Sequence, residues 1–257
     1  MNINMSKWKR ALLLNNRFIN PFIPNLIFKL TNTPIFGPRA SEILYALKYY
    51  TLNYKKGRVN KLKQVAEFGV GHGEGLRQLA ILIRYFCLHY KIDCPEIFGF
   101  DSFEGMHETD ELADIGTWDV GDYNGDYDDL KSFFEENNLG NVSLVKGYFK
   151  ESLKYQSDKF NPEIILVDCD YYSSTKEIFD NLKYKLKTGT LIYFDDLGTN
   201  FYNRNLGEEK LIFEINSGLL GNEFHLHNLY KRVYVWSNSD RPIRKASKEE
   251  LSIPLTK

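Results

Sequence analysis

Short apolar runs alternate with longer amphipathic stretches from about residue 61 onward. The first run, residues 64–70, ends in glycines, and the stretch after it repeats apolar residues at the spacing of one helix face. Four more runs, rich in Ile, Val, Phe and Tyr, follow at residues 96–102, 142–149, 163–170 and 190–197. Strands that are apolar at nearly every position are typical of a parallel sheet covered by helices on both faces.

Two final apolar runs, residues 224–230 and 232–237, are separated by a single residue. So short a connection predicts an antiparallel pair, because parallel strands need a long crossover between them. Together the seven runs predict an α/β domain with a mostly parallel, seven-stranded sheet, an antiparallel last strand and helices on both faces.

The helix after the fourth run has a clear predicted start. Ser174 and Glu177 have the spacing of a capping box, in which two side chains satisfy the free backbone N–H groups of the first turn. The pattern therefore predicts that this helix is capped by its own residues. The acids that precede it, Asp168 and Asp170, are then free for another role.

Residues 1–40 differ in composition from the rest of the chain, because they contain basic side chains, no acid and four prolines. This favours short helical pieces broken by prolines. We expect residues 1–60 to form an N-terminal helical cover over a domain at residues 61–240, with a C-terminal tail at 241–257. A membrane surface or an anionic glycan carrier is an alternative contact for the basic, aromatic cover.

Composition narrows the class of protein. The 257 residues carry 33 basic and 34 acidic side chains, so no global charge attracts nucleic acid or an anionic membrane. Three cysteines without a C-x-x-C pair disfavour a disulfide framework or a zinc site. The apolar run at residues 11–14 is too short for a signal peptide or a membrane span. We therefore expect a soluble, cytoplasmic protein.

A glycine-rich turn follows the first predicted strand, with Glu67 ahead of Gly69, Gly71 and Gly73. Glycine permits positive φ and a close approach of the backbone to a ligand. The spacing fits neither the dinucleotide fingerprint G-x-G-x-x-G nor a phosphate-binding P-loop, which also needs a lysine. An acid ahead of G-x-G-x-G resembles the first motif of S-adenosylmethionine methyltransferases, in which the acid helps to position the ammonium of the methionine moiety. A purely structural turn is the alternative.

Asp101 and Ser102 close the second predicted strand. At the carboxyl end of a strand beside the glycine-rich turn, the Asp101 carboxylate can accept hydrogen bonds from both ribose hydroxyls of a nucleoside. The alternative is that Asp101 caps the turn toward residues 103–105.

Four acids close the fourth and fifth predicted strands: Asp168, Asp170, Asp195 and Asp196. The carboxyl ends of parallel strands meet at one edge of a sheet, so these like charges repel unless a hard cation lies among them. We expect Asp168, Asp195 and Asp196 to bind Mg²⁺, which activates an acceptor hydroxyl, and Asp168 to act also as the base. Asp170 is a weaker candidate, and capping of loops and helices is the alternative role.

Five segments in this order resemble the macrocin O-methyltransferase family. They are EFGVGHG at 67–73, GFDSFEGM at 99–106, KGYF at 146–149, DCDYYSST at 168–175 and the segment 189–196. The resemblance implies a Rossmann-like class I methyltransferase fold, S-adenosylmethionine as the methyl donor, and Mg²⁺ bound by the aspartates. It also implies that Gly147, Tyr148 and Phe149 lie beside the adenine, that N-terminal segments close over the acceptor, and that the acceptor is a deoxysugar hydroxyl on a natural product or a related glycan.

The acceptor stays open between a sugar hydroxyl and a catechol-like phenol, since vicinal oxygens on an aromatic ring also chelate Mg²⁺. A cofactor-binding protein without catalysis, acting in glycan assembly, is a third hypothesis, and a homo-oligomer is left open. The acidic segment 104–136 carries Trp118, Tyr123 and Tyr127, which suit either a lid that stacks on a sugar or a solvated surface excursion. Glu208 and Glu209 are interpreted as helix N-terminal acids outside the site.

Overall fold

A computed structural model of the protein describes residues 39–114, 118–156, 158–199, 202–241, 243–247 and 250–251. The first 38 residues of the cover predicted at residues 1–60 lie outside these ranges, as do residues 252–257 at the end of the predicted tail.

Within the described residues, seven strands form one sheet in the order β3-β2-β1-β4-β5-β7-β6. They are β1 (Gln64–Phe68), β2 (Glu96–Asp101), β3 (Val142–Lys146), β4 (Ile164–Val167), β5 (Leu191–Phe194), β6 (His225–Tyr230) and β7 (Val233–Ser237). The five strands from β3 to β5 in this order are parallel, whereas β7 runs antiparallel to both of its neighbours. The predicted mostly parallel sheet with an antiparallel last strand is confirmed.

The described part of the chain also contains six α-helices and one 3₁₀-helix. They are α1 (Ala40–Lys55), α2 (Glu74–Tyr90), α3 (Tyr127–Glu136), α4 (Phe149–Ser152), α5 (Tyr172–Leu182), α6 (Gly207–Asn216) and the 3₁₀-helix Leu112–Asp114. A search of the same residues for a helix with the length and apolar character of a membrane span finds none.

Successive side chains of each strand point to opposite faces of the sheet, so the strands contribute to two hydrophobic cores. On one face Val65 of β1 belongs to the core that α1, α2 and α3 complete, and on the other face Phe68 belongs to the core with α5 and α6. Trp236 of β7 is fully buried in the second core and stacks on Phe179 and Phe224, with ring centroids 5.9 and 5.1 Å apart. Burial of one large aliphatic or Phe side chain contributes about 1.5–3 kcal/mol. Strands that are buried on both faces are therefore apolar at most positions, and this pattern predicts them from the sequence.

Helix α1 packs into the core of the sheet domain. Its residues Ile43, Leu47 and Tyr50 are buried in the same cluster as residues of β1, β4 and β5. Residues 40–55, which the sequence assigned to the cover, therefore share a core with the residues after 61. The division of the chain at residue 60 stays a prediction.

The helix after β4 begins earlier than predicted. Tyr171 is the N-cap residue of α5, and its side chain makes no capping hydrogen bond. Instead, Asp114 of the 3₁₀-helix accepts hydrogen bonds from the backbone N–H of Ser173 at 2.9 Å and from its hydroxyl at 2.5 Å. The predicted capping box of Ser174 and Glu177 is wrong, because a carboxylate 59 residues away in the chain takes the position that a local cap would fill.

Candidate active site

A cavity of about 730 Å³ opens at the carboxyl edge of the parallel strands. Its walls include the glycine-rich turn after β1, the end of β2 and the residues that follow β4 and β5. Nine residues that the sequence assigned to the site line it: Gly69, Gly71, Asp101, Ser102, Tyr148, Phe149, Asp168, Asp195 and Asp196. The other three, Glu67, Gly73 and Gly147, are not among the lining residues. The fold thus brings the glycine-rich turn and the aspartates to one cavity.

Two glycines of the turn lie so close to neighbouring segments that a side chain at either position would clash. Gly69 has φ +86°, and a Cβ atom on it would lie 1.8 Å from the carbonyl oxygen of Asp168. Gly73 has φ +81° and is the N-cap residue of α2, where a Cβ atom would lie 2.5 Å from Leu130. The turn can therefore approach β4 and α3 closely only because these positions lack side chains.

Asp101 holds the glycine-rich turn. Its Oδ2 accepts hydrogen bonds from the backbone N–H groups of Val70 and Gly71, at 2.6 and 2.8 Å. Its Oδ1 accepts a third from Phe103, at 2.6 Å. A carboxylate has about four acceptor positions, so one is left for a ligand in this conformation. The capping role that was the alternative is present, and the ribose contact stays a prediction.

Glu67 is fully buried beside the cavity and has a cationic partner. Arg39 donates to Glu67 Oε1 through Nη2 at 2.8 Å and to Asp168 Oδ2 through Nη1 at 2.6 Å. Burial raises the pKa of Glu67, and the charge of Arg39 opposes that rise. Among the described residues, no group donates a hydrogen bond to Glu67 Oε2. A buried acceptor without a donor is costly, and it suits a ligand that brings an ammonium.

Backbone hydrogen bonds align the aspartates that follow β4 and β5. Asp168 donates its N–H to Phe68 at 2.8 Å, and Asp195 donates its N–H to Val167 at 2.9 Å. Asp168, Asp195 and Asp196 each offer a carboxylate oxygen, and the three oxygens lie within 4.8 Å of one another. Three anionic oxygen donors at this spacing fit a hard divalent cation such as Mg²⁺.

Burial and neighbouring negative charges disfavour the ionised forms of Asp168 and Asp196. Burial raises the pKa of Asp168 to about 8, and the neighbouring charge of Asp195 adds to the rise. Burial also raises the pKa of Asp196 to about 8, with Asp170 as the next cause. A cation placed among such carboxylates would stabilise their ionised forms, because an opposite charge offsets the repulsion between them.

Asp170 lies beside this trio without belonging to it. Its backbone has φ +60°, which is uncommon outside glycine, and its N–H donates to Asp196 Oδ2 at 3.2 Å. Burial raises the pKa of Asp170 to about 6, whereas a hydrogen bond from Trp118 opposes the rise. Uncommon backbone conformations of this kind cluster at functional sites, so Asp170 is a candidate functional residue.

Two glutamates at the start of α6 support the turn after β5. Glu208 accepts the backbone N–H of Asp196 at 3.0 Å, and Glu209 accepts that of Gly198 at 2.5 Å. The sequence left both outside the site because acids are common at helix N-termini. Their role depends on the tertiary fold, which places the first turn of α6 against the turn that follows β5.

The acidic segment contributes an aromatic wall. Trp118 and Tyr123 line the cavity, and their ring centroids lie 5.1 Å apart in an edge-on contact. Tyr171, after β4, lines it as well. Tyr127 instead begins α3 and packs edge-on against Phe103. Of Trp118, Tyr123 and Tyr127, the three aromatic residues that the sequence analysis singled out in this segment, the first two line the cavity.

Sequence reasoning missed Arg39 and Asp114. Arg39 was counted only among the basic residues of the N-terminal region, and Asp114 only among the acids of segment 104–136. The available signal was weak: a lone cation just ahead of an amphipathic helix, and one acid among many. Both act on partners that lie far away in the chain.

Comparisons with known proteins agree with this architecture. A model of the macrocin-O-methyltransferase (TylF) family matches residues 63–209, more than half of the chain. Among solved structures, CalS11, a calicheamicin methyltransferase, is 18% identical, with a TM-score of 0.56 over 89% of this chain and 88% of that chain. The O-methyltransferase NovP is also 18% identical, with a TM-score of 0.49 over 77% of this chain and 78% of that chain. None of the curated proteins matches the sequence. At this identity, the likeness to CalS11 establishes the fold.

Proposed function

This chain belongs to the macrocin-O-methyltransferase family and is an O-methyltransferase, and from that premise we propose that it methylates a sugar hydroxyl, with S-adenosylmethionine as donor and Mg²⁺ as the bound cation. The observation that carries the proposal is the convergence of Asp168, Asp195 and Asp196 in the cavity that the glycine-rich turn also lines. One cavity can then hold the donor and the acceptor together, which is the main requirement for transfer between two bound molecules.

The donor site is supported by groups on β1, at the end of β2 and at the start of α4. Oε2 of buried Glu67, which accepts no hydrogen bond from any described residue, suits the ammonium of the methionine moiety. Tyr148 and Phe149 line the cavity together with Asp101, where an adenosine needs an aromatic surface and a polar edge. The proposed cofactor-binding residues are Glu67, Gly69, Gly71, Gly73, Asp101, Ser102, Gly147, Tyr148 and Phe149.

The metal site is proposed at Asp168, Asp195 and Asp196. Mg²⁺, when bound, supplies a Lewis acid that lowers the pKa of an acceptor hydroxyl. The protein's own part is to hold the three carboxylates together, through the strand ends and through Glu208, before the substrates arrive. Such preorganisation avoids the reorganisation that a flexible site would require.

Two aspartates can take the proton of the acceptor. The sequence assigns this step to Asp168, whose Oδ2 already accepts a hydrogen bond from Arg39. Asp170 lines the same cavity and lacks that ion pair, so it is a second candidate.

We expect Asp170→Asn to reduce kcat by about 10²-fold or more with an unchanged metal dissociation constant if Asp170 is the base. A kcat loss confined to Asp168→Asn would leave the base at Asp168, and metal titration of both variants separates ligation from proton transfer.

The sugar acceptor is supported by the aromatic wall of Trp118, Tyr123 and Tyr171 beside the aspartates. Aromatic faces stack on the apolar faces of sugar rings, and they also stack on a catechol, so the acceptor class needs a direct test. Labelled S-adenosylmethionine should transfer its methyl group to members of a deoxysugar glycoside panel and not to matched catechols. Methylation of catechols alone would reject the sugar proposal.

Removal of the metal tests the other half of the proposal. EDTA should abolish turnover, added Mg²⁺ should restore it, and the dissociation constant of the donor, measured by calorimetry, should change little. The physical reason is that the donor contacts proposed above are separate from the three metal ligands. Turnover that survives thorough chelation would remove the cation from the reaction.

A further inference from the structure

We propose that the start of α1 positions two of the three proposed metal ligands, Asp168 directly through Arg39 and Asp195 indirectly through Glu42 and Arg232. This rests on the proposed metal site. Residues 39 and 42 are three apart, so they lie on the same face at the start of the helix. Nothing in the family match assigns such a role, since that match begins at residue 63.

Arg39 holds Asp168 by a bridge of two ion pairs. Its guanidinium lies between Glu67 and Asp168, and its side chain is only 9% exposed. It uses one oxygen of each carboxylate. Glu67 Oε2 has no partner in the described part of the chain, and no residue there donates to Asp168 Oδ1 either. The bridge thus orients both carboxylates and leaves an oxygen of each free for a ligand.

Helix α2 is adapted to the guanidinium. A Cβ atom on Gly75 would lie 1.6 Å from Arg39 Nη2 and 2.5 Å from Glu67 Oε1. Glycine is disfavoured inside helices by about 1 kcal/mol relative to alanine. The lack of a side chain at Gly75 leaves space beside the first turn of α2, and the guanidinium of Arg39 occupies that space.

Glu42 supports the second ligand. It is buried, and its Oε1 lies 3.5 Å from Arg232 Nη2. Arg232 Nη1 in turn donates to Asp195 at two atoms, the carbonyl oxygen at 2.5 Å and Oδ1 at 3.1 Å. The carboxylate of Glu42 therefore orients the guanidinium that orients Asp195.

Charge and geometry predict opposite effects when Arg39 is changed. On charge alone, removal of a cation beside a cation site tightens metal binding. On geometry, Asp168 loses the group that orients it and metal binding weakens. Lysine separates the two, because it keeps the charge and lacks the planar fork that spans two carboxylates.

The test is a titration of the 257-residue chain with Mn²⁺, monitored by electron paramagnetic resonance, for wild type, Arg39→Lys and Arg39→Met. Groups that orient metal ligands typically contribute 10- to 100-fold to affinity, so we expect Arg39→Lys to weaken Mn²⁺ binding about 10-fold or more. Arg39→Met should also weaken it. Arg77→Met is the matched control, since Arg77 of α2 forms an ion pair with Asp129 and neither residue is among those that line the cavity. The Mn²⁺ affinity of this variant should equal that of wild type.

Wild-type affinity in Arg39→Lys, or tighter binding in Arg39→Met, would overturn the positioning role. Failure of the wild-type protein itself to bind Mn²⁺ would instead reject the proposed metal site. Should Arg39→Met not fold, as judged by thermal unfolding, Arg39→Lys and Glu42→Gln decide the matter. Glu42→Gln should give a smaller loss in the same direction, and unchanged Mn²⁺ binding in both variants would again overturn the proposal.

Discussion

Replacement of Asp196 by asparagine should lower kcat/KM for methyl transfer by about 10³-fold or more. The variant removes one of the three anionic ligands of the proposed cation, and a bound cation lowers the activation free energy of such a reaction by several kcal/mol. Asparagine keeps an oxygen that can accept the N–H of Asp170, as Asp196 Oδ2 does at 3.2 Å. The turn should therefore survive, and the loss should come from the missing charge. Initial rates and a Mn²⁺ titration measure the two effects.

A matched control is Asp180→Asn. Asp180 lies on α5, where it forms an exposed ion pair with Lys176 at i,i+4 spacing, and it is not among the lining residues of the cavity. Such pairs contribute little, so kcat/KM should stay within about twofold of wild type. An Asp196→Asn variant as active as this control would exclude Asp196 from the metal ligands.

Replacement of Gly69 by alanine should destabilise the protein by about 3 kcal/mol or more, and the folded remainder should bind both donor and metal weakly. Two effects add. A left-handed backbone costs an L-residue about 1–2 kcal/mol, and the new Cβ atom would meet the Asp168 carbonyl oxygen at 1.8 Å. Because Asp168 must move, the metal site is disturbed together with the turn. Denaturant unfolding and ligand titration measure the outcome.

Two glycines elsewhere separate these effects. Gly57 has φ +68° and open space around its Cβ position, so Gly57→Ala isolates the backbone strain. Gly140 has open space and no positive φ, so Gly140→Ala should change the free energy of unfolding by less than about 0.5 kcal/mol. If Gly69→Ala were no more destabilising than Gly57→Ala, the close approach of the turn to β4 would not matter.

Much of the fold could be predicted because the central parallel strands β1, β4 and β5 are buried on both faces and are therefore apolar at most positions. Residues 64–70 and 163–170, for example, contain β1 and β4, and the short link between the last two runs identified the antiparallel pair. The convergence of the aspartates was predictable for a related reason. Asp168 and Asp195 follow neighbouring parallel strands, whose carboxyl ends lie at one edge of the sheet.

Side-chain partners were predicted less well. Ser174 and Glu177 have the spacing of a capping box, and the helix is capped by Asp114 instead. Asp101 accepts hydrogen bonds from three backbone N–H groups, of which only that of Phe103 lies in the turn that the sequence named, and its contact with a ribose stays a prediction. The capping box shows that a local pattern can identify residues of suitable chemistry without showing which groups they contact in the folded chain.

The sequence by itself determined the positions of the strands along the chain, the glycine-rich turn and the acids at the strand ends. These features depend on the periodicity of burial and on the direction of parallel strands. Only the tertiary structure decided which charges meet. Arg39 contacts Glu67 and Asp168 across 28 and 129 residues of chain, and the contact exists because α1 packs beside α2 where Gly75 leaves room. Contacts of that kind depend on how distant segments pack, which no local pattern of residues contains.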